Sequence, residues 1–257
     1  MTTNLLFLWL ILTPLAIIGL IDDQRSVPAS IRYLVQLVAA GIAINCFGIF
    51  PQPWLTNFGI VGIVIAILLT VMGFTALINF YNFMDGLDGL VAGVTAVQLG
   101  FIAIYLHQPG WWVLVAALLG FLRWNWSPAQ IFMGDVGSTF LGATVAIALL
   151  NGGTDFAHSW SALAITLPIS ADAVYTLMSR LIKRENIFQA HRSHLYQRLQ
   201  QSGWSHAQVA TVYILMTLLI GTMVVCFGLI GAGMSLCVMI MAFIVGESYL
   251  NSRLLVS

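Results

Sequence analysis

Charge is what this 257-residue chain has least of. Asp, Glu, Lys and Arg together make up 7% of it, against roughly a quarter of an ordinary soluble domain. That scarcity excludes a water-soluble globule. Basic and acidic residues cancel to +0, so no surplus of positive charge is offered to nucleic acid, and none is expected as a partner. Cysteine is scarce too. Cys46, Cys226 and Cys237 each lie in an apolar run, with no C-x-x-C spacing, which excludes a disulfide framework and leaves them as small buried hydrophobes. The first 21 residues lack a basic n-region and an A-x-A cleavage site, so they are expected to form a retained helix, not a cleaved leader. No internal repeat, low-complexity linker or soluble appendage is visible.

What is abundant is apolar surface: 60% of residues are hydrophobic. A spanning helix takes roughly 20 such residues. Apolar runs predict nine spans, at about 4–21, 31–50, 58–78, 89–106, 111–122, 137–151, 159–179, 208–230 and 232–250. The run at 111–122 is the shortest and extends to Trp126 if Trp111, Trp112, Trp124 and Trp126 anchor it at the interfaces. The predicted fold class is therefore all-α, a single polytopic domain over 1–257. With the N-terminus outside, alternate loops gather Arg25, Arg32, Arg123, Arg180, Lys183, Arg184, Arg192, Arg198 and Arg253 on one side. The loops around 51–57, 107–110, 152–158 and Gly231 hold none. The positive-inside rule makes the basic side cytoplasmic.

Asp22, Asp23, Asp85, Asp88, Asp135 and Glu185 fall on that same side, where anionic headgroups would repel them. Their convergence points to a polar site for a metal or a cationic or metal-bound substrate. Four segments supply it. Asp22-Asp23-Gln24-Arg25 closes the first span and is otherwise a solvated helix end; Arg25 offers a fork for a phosphate. In Asn82-Phe83-Met84-Asp85-Gly86-Leu87-Asp88-Gly89, the polar residues recur every three positions and would share one helix face. The alternative there is a loop with turn glycines. In Phe132-Met133-Gly134-Asp135-Val136-Gly137-Ser138, a Gly-rich turn before a helix would present N–H groups to an anion. Asp135 adds a hard oxygen ligand suited to Mg²⁺; the plainer reading is a helix start capped by Ser138. The basic loop 180–206 holds His191 and His194, spaced to reach one ligand. Asp172 and Glu247 are carboxylates inside spans, functional candidates by position, though Asp172 is equally able to order Ser170 or a neighbouring backbone. His107 and His158 lie on outside loops with no chemistry assigned.

In that order, the Asp-Asp pair, the N-x-x-D-G-x-D-G element, the M-G-D-x-G-S element and a His-containing basic loop resemble the polyprenyl-phosphate N-acetylhexosamine-1-phosphate transferases. The resemblance covers about residues 5–250. It implies transfer of a sugar 1-phosphate from a UDP-N-acetylhexosamine to undecaprenyl phosphate, with release of UMP, in the bacterial inner membrane. It implies Mg²⁺, with Mn²⁺ as a substitute, held by Asp135 with Asn82. Asn82, Asp85, Asp88, Phe132, Arg192 and His194 are then expected at the nucleotide-sugar, with Phe132 near the uracil, and Asp22 and Asp23 as the catalytic pair at the lipid phosphate. Tyr196 and Gln197 stand where the family's loop has histidines, which resembles the branch that starts O-antigen, a lipopolysaccharide. The family's P-T-P-x-G-G loop and one or two N-terminal spans are not matched, so an inactive or truncated family remnant is one alternative. A polytopic transporter is the other, although it predicts polar residues through the midplane and internal symmetry. A CDP-alcohol transferase would need D-G-x-x-A-R, whereas Asp85-Gly86 runs into Leu87-Asp88-Gly89. A homodimer is compatible with all of this.

Overall fold

In a bilayer core every backbone polar group must be satisfied within the chain, and helices do this locally. The computed structural model describes residues 2–186, 189 and 191–254, and among them there is no strand. Part of the basic loop, residues 187, 188 and 190, lies outside the described set. Ten helices follow in order: α1 Thr2–Gln24, α2 Ala29–Phe47, α3 Gly59–Met84, α4 Leu90–Tyr105, α5 Trp111–Asn125, α6 Gly134–Leu150, α7 Phe156–Leu163, α8 Leu167–Ile182, α9 Leu195–Gln201 and α10 His206–Leu254. A 3₁₀ turn, Ala164–Thr166, joins α7 to α8 into one rod.

The 49 residues of α10 are two helices. Gly228 breaks them with φ 54 and ψ −128, a backbone that suits glycine. The chain folds back there: a Cβ on Gly231 would lie 2.0 Å from the Met223 carbonyl oxygen. The Trp204 indole N–H donates to the Tyr249 hydroxyl at 3.0 Å, although a straight helix would hold the two roughly 65 Å apart. Counting both limbs of α10, and α7 with α8 as one, nine apolar rods succeed one another, in line with the predicted count. Five helices, α10 taken whole, are long and apolar enough to cross a membrane; α4, α5 and α6 are apolar but shorter. The chain is a multi-pass membrane protein.

Several boundaries move. α3 runs six residues past the predicted end, which brings Asn82 onto its last turn. The 31–50 run stops at Phe47, where Gly48 takes φ 86. The last break falls at Gly228, not Gly231. The loop 180–206 contains a helix, α9, that was not predicted. Cys226 and Cys237 are exposed on the apolar surface and Cys46 is partly buried, which corrects the expectation of three buried thiols. Helical runs alone do not say which side of a rod faces its neighbours.

The rods pack with α6 central, against α1 and α3, and with α4 against α5 and α10. Loops sort to two ends. At one end the Trp160 indole donates to the Pro51 carbonyl at 2.8 Å, Asn151 donates to Gln108, and Trp54 packs on Phe156 and Trp160. At the other end lie the segments that carry every Lys and Arg.

Candidate functional site at the charged end of the bundle

The site is built from helix termini. α3 ends at Met84, so Asp85 and Asp88 lie in the turn to α4 and do not share a helix face with Asn82; Gly89, at φ 74, ends that turn. Only Asn82 remains helical, and its Nδ2 donates to Asp135 Oδ1 at 2.8 Å and to Ser138 Oγ at 3.2 Å. Ser138 donates back to the Gly134 carbonyl at 3.1 Å, so it does not cap α6.

The cap of α6 comes from α1. Asp23 accepts from the Asp135 N–H at 2.7 Å and the Val136 N–H at 3.1 Å. The first-turn amides expected to face an anion are therefore already paired with a carboxylate, the charge a helix N-terminus favours. Gly134 makes the approach possible: its φ is 68, and a Cβ there would lie 2.7 Å from the Asp23 carboxylate. Asp22 accepts from the Val27 N–H at 2.7 Å and pairs with Arg32 at 2.6 Å. Arg32 also lies 3.6 Å from Asp135 Oδ2, and the Asp22 and Asp135 carboxyl groups are within hydrogen-bond reach of each other. Sequence reasoning chose Arg25 as the phosphate fork and missed Arg32, which sits four residues into the next helix with nothing local to mark it.

Asp85 stands apart. No donor among the described residues reaches its carboxylate. Burial, then the charges of Asp135 and Asp23, push it up to about 7. Asp88 turns away from this group. Its Oδ2 accepts from the Ala129 N–H at 3.2 Å and lies 3.2 Å from His206 Nδ1. Buried Asn125 completes that tie, accepting from the Gly89 N–H and donating to the Ile131 carbonyl. The segment so held, 126–133, carries Phe132, which is 78% exposed. Of the six acidic residues expected to converge, four do. Glu185 pairs instead with Arg180 at 3.0 Å.

The basic loop divides. Arg192 is exposed. His194 is buried, its Nδ1 3.3 Å from Asp172 Oδ1. His191 stacks on His194 at 4.9 Å and turns its Nδ1 to the Ser193 hydroxyl at 3.0 Å. Burial, with His194 and Arg180 nearby, holds the His191 imidazole below its ordinary range. Ser170 donates to the Thr166 carbonyl and not to Asp172. Arg198 leaves the site and grips Glu247 with both Nη1 and Nη2, while the Tyr175 hydroxyl adds a third bond to Glu247 at 2.9 Å. Both intramembrane carboxylates are thus held by protein donors, Asp172 by Leu195, Tyr196, Thr176 and Tyr213 and Glu247 by Arg198 and Tyr175.

Among the described residues, no three His, Cys, Asp or Glu side chains form a metal cage. The donors do suit a hard cation completed by substrate. Arg32 reaches Asp22 and Asp135, while the charges of Asp23 and Asp135 also bear on Asp85, and like-charged carboxylates this close need a proton or a cation between them. Mg²⁺ usually takes one or two protein carboxylates plus phosphate oxygens. An apolar cavity of about 740 Å³ begins beside Phe80 and Ser170, within a turn of Asn82 and Asp172, and reaches Gln52 and Trp54 at the other end.

Residues 5–153 match the sequence profile of Glycosyl transferase family 4. The chain is 32% identical over 219 residues to a probable undecaprenyl-phosphate N-acetylglucosaminyl 1-phosphate transferase of Bacillus subtilis, covering 77% of this chain and 59% of that protein. It is 28% identical over 226 residues to an undecaprenyl-phosphate alpha-N-acetylglucosaminyl 1-phosphate transferase of Yersinia pestis, covering 79% and 60%. A phospho-N-acetylmuramoyl-pentapeptide-transferase of Clostridium botulinum is 34% identical over 160 residues, covering 59% and 48%. The chain thus spans about half to three-fifths of the length of the relatives it matches.

Proposed function

The chain belongs to Glycosyl transferase family 4, and from that premise we propose that it transfers an N-acetylhexosamine 1-phosphate from a UDP-sugar to undecaprenyl phosphate. UMP leaves, and the lipid-linked sugar starts a cell-envelope polysaccharide, O-antigen in our reading, at the cytoplasmic face of the inner membrane. The observation that carries this reading is the meeting of Asp22, Asp23, Asp85 and Asp135 at the one end of an apolar bundle that also holds every Lys and Arg. A lipid phosphate with its tail in the bilayer and a water-soluble donor can meet only at such an end. The 740 Å³ cavity offers the hydrocarbon chain a dry path from that end.

In the proposed reaction an oxygen of the lipid phosphate attacks the β-phosphorus of the donor. The new P–O bond forms as the bond to the α–β bridging oxygen breaks, and UMP departs with that oxygen. Asp22 and Arg32 are assigned to the lipid phosphate, Arg32 as a planar donor fork and Asp22 as the acceptor of its proton. Asp23 holds the first turn of α6 and so aims Asp135. Asp85, with no protein donor, faces the diphosphate side; Asp88 and Asn125 hold the segment that places Phe132 for the uracil. Asp135, with Asp22 beside it and Asn82 orienting it, would hold Mg²⁺, which would neutralise charge on the diphosphate. Arg192, exposed in the same loop as His194, is assigned to the donor's phosphates.

The test is a membrane assay with labelled UDP-N-acetylhexosamines and undecaprenyl phosphate. Transfer by the wild-type chain and a loss of at least about 100-fold in Asp135→Asn, a size typical for removal of electrostatic stabilisation, support the reading. No lipid-linked sugar with any donor, or Asp135→Asn turning over like wild type, would remove it.

A further inference from the structure

Helix α9 lies beside the turn from α3 to α4, where a Cβ on Gly86 would meet the Tyr196 hydroxyl at 2.3 Å, and one residue of α8 seats it. Asp172 has 0% exposure. An ionised carboxylate at that depth persists only when donors surround it. Its Oδ1 accepts from the Leu195 N–H at 3.0 Å and the Thr176 hydroxyl at 3.2 Å. Its Oδ2 accepts from the Tyr196 N–H at 3.1 Å and the Tyr213 hydroxyl at 2.5 Å. Those four donors already satisfy the carboxylate and cap α9. The fifth partner, His194 Nδ1 at 3.3 Å, adds something else. A hydrogen on Nδ1 would face that carboxylate and leave Nε2 as the acceptor.

The imidazole is also boxed in, with ring centroids at 4.9 Å from His191, 5.7 Å from Tyr196 and 6.2 Å from Phe83. Phe83 is two residues before Asp85. The Tyr196 hydroxyl donates to the Phe83 carbonyl at 2.9 Å, so α9 is tied to the last turn of α3, just before the 85–89 turn. Among the described residues no side chain bonds Nε2, and His194 keeps 2% of its surface exposed.

We propose that Asp172 is a positioning residue of the donor site, which fixes the tautomer and direction of His194 so that Nε2 meets the nucleotide-sugar. The proposal rests on the transferase reading above. It is tested by a double-mutant cycle in the same assay, with His194→Gln, Asp172→Asn and the two combined. Asp172→Asn should lower kcat about 10- to 100-fold, the range for a partner that orients a working imidazole. In the His194→Gln background the same change should cost less than about 3-fold, because the group it acts through is already gone. An equal factor in both backgrounds would mean that Asp172 only seats α9, and the proposal fails. If Asp172→Asn does not accumulate, Thr176→Val with Tyr213→Phe removes two neutral donors and leaves the imidazole contact. Near-wild-type turnover then supports the assignment, and a hundred-fold loss overturns it. Silence of the wild-type chain removes the transferase reading itself and this proposal with it, a pattern distinct from an active wild type with additive variants.

Discussion

Replacing Asp85 with Asn should stabilise the chain, and the gain should grow with pH. The Asp85 carboxyl rises from 3.8 to about 7 through burial and the charges of Asp135 and Asp23. A raised carboxylate opposes folding once it must ionise. The penalty is absent below the unfolded pKa, grows as pH climbs from 3.8, and is complete above about 7. At about 1.4 kcal/mol per unit, the full penalty is about 4 kcal/mol. Roughly 2.5 kcal/mol of it should develop between about pH 5 and pH 8. For a chain of this size that is about 5 °C in Tm. The assay is thermal unfolding in detergent with a chelator present, wild type against Asp85→Asn, at both pH values. Adding Mg²⁺ at the higher pH should stabilise wild type more than the variant, since a cation near Asp85 relieves the same repulsion. An Asn–wild-type difference that stays flat or shrinks from the lower to the higher pH would refute the electrostatic account of this cluster.

Two further outcomes follow from the fold. Single cysteines at Thr154 and Arg184 should label from opposite sides of sealed membrane vesicles; labelling from one side would break the alternation of the rods. Glu247→Gln and Arg198→Gln should each destabilise by about 1.5–3 kcal/mol, as loss of charge-assisted hydrogen bonds does. The double variant should lose less than the sum, read by thermal unfolding, and an additive result would mean that the two residues do not act on each other.

Sequence by itself determined the class of the molecule. At 60% hydrophobic and 7% charged, no packing choice makes this chain soluble. The one-sided Lys and Arg fixed which loops belong together, because alternating helices carry their termini to alternate ends. The acidic residues that meet at the site were legible for the same reason, since each lies at or beside the end of an apolar run. What each of them touches was not. Asp23 capping α6, Arg32 joining Asp22 to Asp135, and Asp172 seating α9 are contacts across 10 to 112 residues of chain. They depend on which helices are neighbours and how each is rotated. Apolar all round, α1, α3 and α6 give no periodic signal of rotation, because lipid and core accept the same side chains. Glycines settled the geometry, at Gly134 by admitting a carboxylate and at Gly228 by turning one predicted pair of spans into a hairpin. Only packing shows what such a residue admits, because the space beside a missing side chain belongs to another part of the chain.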